Sequence, residues 1–167
     1  MLQPAPVQPT YQRYLTPGQV GMLADETVWA ADTRIVETAA GIGFGLAVSQ
    51  GALSDRGCII GGAAFVGVTR ADPTLARADL SVPGTPSTLP LDTYPQYDNA
   101  GVLTMGDIWV NCYAAVTPAT TVTFSATTGQ LGVAGTTITH ARWMTSASGS
   151  AGTPVLAVLR LGDISSR

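Results

Sequence analysis

Two stretches decide the fold class: Asp107-Ile108-Trp109-Val110-Asn111-Cys112-Tyr113-Ala114-Ala115 and, near the C-terminus, Val155-Leu156-Ala157-Val158-Leu159-Arg160-Leu161. Both are rich in β-branched, aromatic and other apolar residues, which favour strands. The second stretch is apolar at almost every position, so we expect a central strand of a sheet. Neither stretch has the three-to-four-residue spacing of an amphipathic helix.

Short strand-like runs continue on both sides of these stretches. Glycine and proline account for 19 and 11 of the 167 residues and divide the chain into short segments, a pattern typical of strands joined by turns. The Gly61-Gly62 pair suits a tight turn or a bulge. We therefore predict an all-β sandwich or barrel of about ten short antiparallel strands. The other predicted strands are Val20–Ala24, Val28–Glu37, Gly43–Gln50, Cys58–Ile60, Ala63–Thr69, Gly101–Met105, Thr121–Ala126 and Arg142–Ser146.

The first 18 residues form a separate segment. Four prolines between Pro4 and Pro17 exclude a helix or a central strand. The segment nevertheless carries Tyr11, Arg13, Tyr14 and Leu15, and tyrosine and arginine are enriched at protein interfaces. We interpret residues 1–18 as an arm that contacts a neighbouring subunit through these four side chains, and 19–167 as one domain. The alternative is a tail that packs along its own domain.

A second proline-rich stretch lies in the middle of the chain. Pro73, Pro83, Pro86, Pro90 and Pro95 fall between two predicted strands. A loop of this length inside a compact domain is uncommon and tends to be functional. The sequence leaves open what the segment 83–95 does.

Charge is scarce along the whole chain. Charged residues make up 11% of the sequence, lysine is absent, and eight arginines stand against eleven acidic residues, for a net charge of −3. Either this is a small β protein that tolerates alanine, glycine and threonine everywhere, or much of its surface meets neighbours in an assembly. The lack of a basic patch argues against a nucleic-acid partner. No apolar run is long enough to cross a membrane, and the N-terminus lacks the pattern of a signal peptide, so we expect synthesis in a cytosol.

Residues that could carry chemistry are isolated. His140 is the only histidine and no G-x-S-x-G motif accompanies it, so a polar residue at a strand end is the simpler interpretation. Cys58 and Cys112 are far apart and lack metal-ligand spacing, which predicts buried thiols without a catalytic role.

Glycines and acidic residues give no stronger signal. Gly41-Ile42-Gly43-Phe44-Gly45 contains part of a dinucleotide-binding pattern but leads into a strand rather than a helix. Asp25-Glu26 and Asp32 do not form a calcium loop. We therefore expect no enzymatic activity, no cofactor and no metal ion.

Several stretches together resemble the tailed-phage structural cement proteins, which decorate capsids. Pro17–Asp25 is similar to the short PG..G.(L/M)A run that follows a proline-rich arm in that family. Gly43–Gly51 is similar to its FG.AV..G strand, and Phe65–Thr69 follows after a loop. Gly106–Val110 resembles its G.VWV strand. Ala141–Ala147 and Ala157–Leu161 resemble its A.F.TSA…(A/G)LAVV.L ending. The matches run in the family's order from residue 17 to residue 161.

The resemblance implies a jelly-roll-like or tulip-like β fold and a place on the outer surface of the virion. The implied partners are the major capsid protein and further copies of the chain, with a trimer favoured over a dimer. The implied role is to bridge neighbouring capsid subunits without catalysis. The alternatives are another virion role, such as a tail tube or head-completion protein, or a carbohydrate-binding or adhesin module.

Overall fold

The computed structural model describes residues 18–72 and 92–162, and every regular element in these ranges is a β-strand. The all-β prediction is therefore confirmed. In chain order the strands are Leu23–Val36 (β1), Ile42–Gly43 (β2), Ala47–Gln50 (β3), Gly57–Ile60 (β4), Phe65–Thr69 (β5), Thr93–Tyr94 (β6), Asn99–Cys112 (β7), Ala115–Val116 (β8), Thr123–Phe124 (β9), Thr136–Thr137 (β10), Ala141–Trp143 (β11), Ala147–Ser148 (β12) and Val155–Leu161 (β13).

The long strand β7 organises the main sheet. It pairs with β1 along one edge and, along the other, with β5 and then β13. The order β1-β4-β3-β5-β7 returns to β1, so these five strands form a closed ring. Strands β13 and β11 extend the sheet beyond β7, and β13 is a central strand with a partner on each side, as predicted.

One pairing departs from the antiparallel prediction: β1 and β4 are parallel, with Ile35 opposite Gly57 and Val36 opposite Cys58. The reason is the number of strands in the ring. Strand directions can alternate all the way round a closed ring only if the number of strands is even. A ring of five strands therefore needs at least one parallel pair. In this protein the parallel pair is the short pairing between the end of β1 and the four-residue β4.

The sheet separates two apolar cores. Successive residues of a strand point to opposite faces, and accordingly Val102 and Leu103 belong to different clusters of buried side chains. The first cluster contains Val36, Ile42, Phe44, Val48, Cys58, Tyr94, Ala100 and Val102. The second includes Leu103, Ile108, Val110, Phe124, Leu131, Trp143 and Leu159, with contributions from the short strands after β7. An all-β sheet closed into a ring, with a core on each face, agrees with the predicted sandwich or barrel class.

Several strand boundaries differ from the prediction. Gly101–Met105 and Asp107–Ala115 were expected to be separate, but one 14-residue strand runs through Gly106 and ends at Cys112. The two runs near the N-terminus likewise join as the 14-residue β1. Both strands are long because β1 and β7 are direct neighbours in the sheet and pair with each other over much of their length. Conversely, Gly43–Gln50 is divided into β2 and β3 by a turn at Phe44 and Gly45.

Candidate assembly interface

The four predicted contact residues, Tyr11, Arg13, Tyr14 and Leu15, lie outside the described residues. The structure shows instead where the arm joins the domain. Gly18 lies against the indole of Trp109, so closely that a Cβ atom added at Gly18 would be 2.5 Å from Trp109 Cδ1. Gly21 N donates a hydrogen bond to Trp109 O (2.7 Å), and Trp109 N donates one to Met22 O (2.8 Å). The chain that follows the arm is thus held to the centre of β7.

The second proline-rich segment joins the domain at the same place. Ala71 N, just before this segment, donates to Gly21 O (2.8 Å). On the return side, Phe44 N donates to Asp92 O (3.1 Å). Of the predicted loop 83–95, residues 83–91 lie outside the described ranges, whereas Thr93–Tyr94 forms β6 and pairs with β2. Gly21, which follows the predicted arm, therefore lies close to both described ends of the loop, since a Cβ atom at Gly21 would be 3.0 Å from Phe44 Cβ.

Three large apolar side chains near this junction are exposed. Met22, Val28 and Trp29 retain 45%, 45% and 43% of their surface exposed. The backbone of Met22 is hydrogen-bonded to that of Trp109, whereas Trp29 lies beside Gly106. Trp109 and Gly106 are three residues apart on β7. At strand spacing this separation is about 10 Å. We call these three side chains the Trp29 patch.

A local departure from the strand pairing creates the patch. Asp25 is opposite Asp107 and Ala30 is opposite Met105, so residues 26–29 stand opposite Gly106 alone. Gly106 has φ +123°, and a Cβ atom there would lie 2.9 Å from Trp29 Cβ. The Thr104 hydroxyl donates to Ala30 O (3.2 Å), and regular pairing resumes at Ala31, opposite Leu103. Residues 26–29 thus form a large bulge, a feature that proteins use to re-aim side chains.

The patch has an acidic border. Asp25 accepts hydrogen bonds from the backbone N–H (2.8 Å) and the hydroxyl of Thr27, and these bonds lower the pKa of the Asp25 carboxyl. Because the folded-state pKa is depressed, this stabilisation is present above the ordinary carboxyl range and is lost as the pH falls through the folded value. Glu26 is exposed beside it. The Arg70 guanidinium lies 4.7 Å from the centroid of the Trp29 ring and holds it in place.

A row of four charged residues crosses the sheet below the patch. Asp25, Asp107, Arg160 and Arg142 are register partners on β1, β7, β13 and β11. Arg160 donates two hydrogen bonds to Asp107, Nε to Oδ1 and Nη2 to Oδ2, both 2.6 Å. The pair is mostly buried, with side-chain exposures of 22% for Arg160 and 9% for Asp107. Arg160 thereby compensates two acidic groups that face each other across β1 and β7.

The remaining candidate residues have structural surroundings. The Glu37 carboxylate accepts hydrogen bonds from the backbone N–H groups of Ala52 (2.8 Å), Leu53 (3.1 Å) and Ser54 (3.1 Å) and so shapes their loop. His140 is exposed, and within residues 18–72 and 92–162 no hydrogen bond or ion pair joins its imidazole to a carboxylate. Within the same ranges, no three or more His, Cys, Asp or Glu side chains are grouped so that they could hold a metal ion.

Both cysteines are free and fully buried, in different cores. Burial raises the pKa of the Cys58 thiol to about 11 and also raises the pKa of Cys112. Nucleophilic cysteines need the opposite shift, since the thiolate is the reactive form.

We expect Cys58→Ser and Cys112→Ser to lower the free energy of unfolding by about 1–3 kcal/mol, because each puts a hydroxyl into an apolar core. Occupancy on capsids, the partner that the sequence resemblance implies, should stay unchanged at a temperature where both variants are folded. Denaturant unfolding and counting of bound copies on capsids measure the two effects. His140→Ala serves as the exposed control and should alter neither quantity; lost occupancy in a folded variant would contradict the prediction.

The domain is all-β and exposes several large apolar side chains, three of them in the Trp29 patch, which suits contact with other protein surfaces. The family model described as structural cement protein (E217 gp24/Pam3 gp6) matches residues 7–162. The chain therefore belongs to this family of phage cement proteins. It has a capsid cement role, on the outer surface of the virion and in association with the major capsid protein.

The solved structures agree in fold. A chain from the structure titled "The capsid of Myoviridae Phage XM1" has a TM-score of 0.57 and 13% sequence identity, covering 92% of this chain and 95% of that one. A search of curated proteins found no match. Within the described part of this chain there is no helix with the length and apolar character needed to span a membrane.

Proposed function

We propose that residues 1–18 are an arm through which each cement subunit holds a neighbour, either the major capsid protein or another cement subunit. Its anchors are Tyr11, Arg13, Tyr14 and Leu15. The observation that carries this proposal is the fixed root of the arm. Gly18–Met22 is held to Trp109 by packing and by two backbone hydrogen bonds. A tether that is fixed at its base transmits force from its tip to the domain.

The proposal includes how such a subunit strengthens a capsid. Internal pressure opens a capsid between neighbouring major capsid subunits, and a cement subunit that bridges them adds an interface that must also break. When several contacts are linked in one oligomer, the first contact raises the effective concentration for the others, so the oligomer binds tightly even if each contact is weak. We infer a homo-oligomer, with a trimer favoured over a dimer, and a purely mechanical role without catalysis. Buried neutral thiols and the engaged Glu37 carboxylate support the last point.

Deletion of residues 2–16 tests the arm. We expect the shortened protein to keep its β circular-dichroism spectrum, because the strands of the domain begin at Leu23. Its occupancy on undecorated capsids should fall strongly, since loss of an interface anchor costs about 2 kcal/mol or more and the deletion removes several.

The matched variants are Tyr11→Ala/Tyr14→Ala, which should reproduce most of the loss, and Gln3→Ala/Gln8→Ala, which should not. Occupancy equal to that of the full chain would show that the arm is not the clamp. An unfolded deletion variant would show that the segment belongs to the domain's core.

A further inference from the structure

The Trp29 patch has the composition of a binding site for an aromatic and cationic segment. Three large apolar side chains lie exposed along about 10 Å of strand, and tryptophan is prominent among interface hot spots. Asp25 and Glu26 border them, and within the described ranges neither carboxylate forms a salt bridge. A partner that matches this surface presents apolar or aromatic groups together with a positive charge.

Residues 11–15 of this chain have that chemistry. Tyr11-Gln12-Arg13-Tyr14-Leu15 contains two aromatic rings, a leucine and an arginine, and Arg13 is the only charged side chain within residues 1–17. Residues three apart in a polyproline II segment lie on one face about 9 Å from each other. That spacing corresponds to the interval from Tyr11 to Tyr14 and is close to the length of the patch.

We propose that the arm of one copy binds the Trp29 patch of a second copy, with Arg13 facing Asp25 and Glu26 and the tyrosines covering Trp29 and Met22. This inference rests on the proposed function and names the surface that receives the arm. Arg70 already covers part of the Trp29 ring, so the arm packs on the remaining exposed side.

The length of the arm allows it to reach a second copy. The residues at its root lie against Trp109, where a turn closed by the hydrogen bond from Met22 N to Gln19 O (3.0 Å) reverses the chain before β1. Tyr11 is seven residues before Gly18 and can lie up to about 25 Å from it. That reach suffices for the patch of an adjoining copy whose root is nearby.

Charge reversal distinguishes this contact from other uses of the arm. Arg13→Glu and Glu26→Arg are made separately and together in the full-length chain, and the oligomeric state is measured by sedimentation without capsids. We expect the unchanged protein to self-associate and each single reversal to weaken association about tenfold or more. The double variant should associate again because the ion pair is restored between copies, and an equal mixture of the two single variants should associate more strongly than either alone because contacts between unlike copies are attractive.

A second pair of variants tests the apolar part. Trp29→Ala should weaken self-association about 30-fold, the equivalent of a typical hot-spot truncation. Leu53→Ala removes an apolar side chain that is 74% exposed but lies in the loop after β3, and it should have no effect. Unchanged circular dichroism in all variants ensures that association and not folding is measured.

The opposite results overturn the inference. A full-length chain that is monomeric at every concentration, or single reversals that leave association unchanged, shows that the arm does not bind this patch in a second copy. If deletion of residues 2–16 still lowers capsid occupancy in that case, the arm contacts the major capsid protein, and the proposed function stands without this inference. Weakened association that neither the double variant nor the mixture restores also contradicts the pairing of Arg13 with Glu26.

Discussion

Replacement of Arg160 by methionine is expected to lower the free energy of unfolding by about 3 kcal/mol. The change removes both hydrogen bonds to Asp107 and leaves that carboxylate buried without its partner, and the loss of one member of a buried ion pair typically costs about 3–5 kcal/mol. We expect the lower end of this range because Arg160 keeps 22% of its side chain exposed. Urea unfolding followed by circular dichroism measures the change.

The sheet contains a matched control for this prediction. Arg142 is the register partner of Arg160 on β11 but is exposed. Arg142→Met removes a neighbouring like charge and should shift the free energy of unfolding by no more than about 0.5 kcal/mol. A double variant, Asp107→Leu/Arg160→Met, should recover part of the lost stability because it removes the unpaired carboxylate. Equal effects of Arg142→Met and Arg160→Met would show that the bidentate pair contributes nothing specific.

The sequence predicts those strands whose burial is set by local composition. Val155–Leu161 is observed with the predicted boundaries, and its centre, Ala157–Leu159, is buried as an almost wholly apolar run predicts. The parallel pairing of β1 with β4 was not predicted because it depends on how many strands close the ring, which no local pattern records.

The Trp29 patch was missed for a related reason. Val28–Glu37 was predicted as an ordinary strand, and nothing in that run shows that Val28 and Trp29 face solvent. The bulge depends on Gly106, which lies more than 70 residues away in the sequence. In the sequence Gly106 begins the strand-like run Gly106–Val110, and nothing there indicates that it faces β1. The one available signal was an isolated glycine between two strand-like runs, a pattern that suggests a bulge or a close backbone approach.

The turn at Gly61 is expected to be a position where a backbone change lowers stability strongly. Gly61 has φ +63°, and a Cβ atom there would lie 2.3 Å from the carbonyl oxygen of Ala126. Beside it, Gly62 N donates a hydrogen bond to Ala126 O (2.7 Å), which ties the β4–β5 connection to the segment after β9. The predicted turn at Gly61-Gly62 therefore does more than reverse the chain, because it joins the closed ring to the C-terminal half.

Gly61→Ala should cost about 2–3 kcal/mol. A left-handed conformation costs an alanine about 1–2 kcal/mol, and the shift needed to relieve the backbone clash weakens a hydrogen bond of about 1 kcal/mol. Gly152→Ala is the control, since its Cβ atom would meet nothing within 4 Å and its φ lies outside the left-handed region. Thermal unfolding of both variants should show a clear loss of stability for Gly61→Ala and almost none for Gly152→Ala. If the two variants unfold alike, the segment after β9 moves freely relative to the ring, and the link at Ala126 does not couple the two cores.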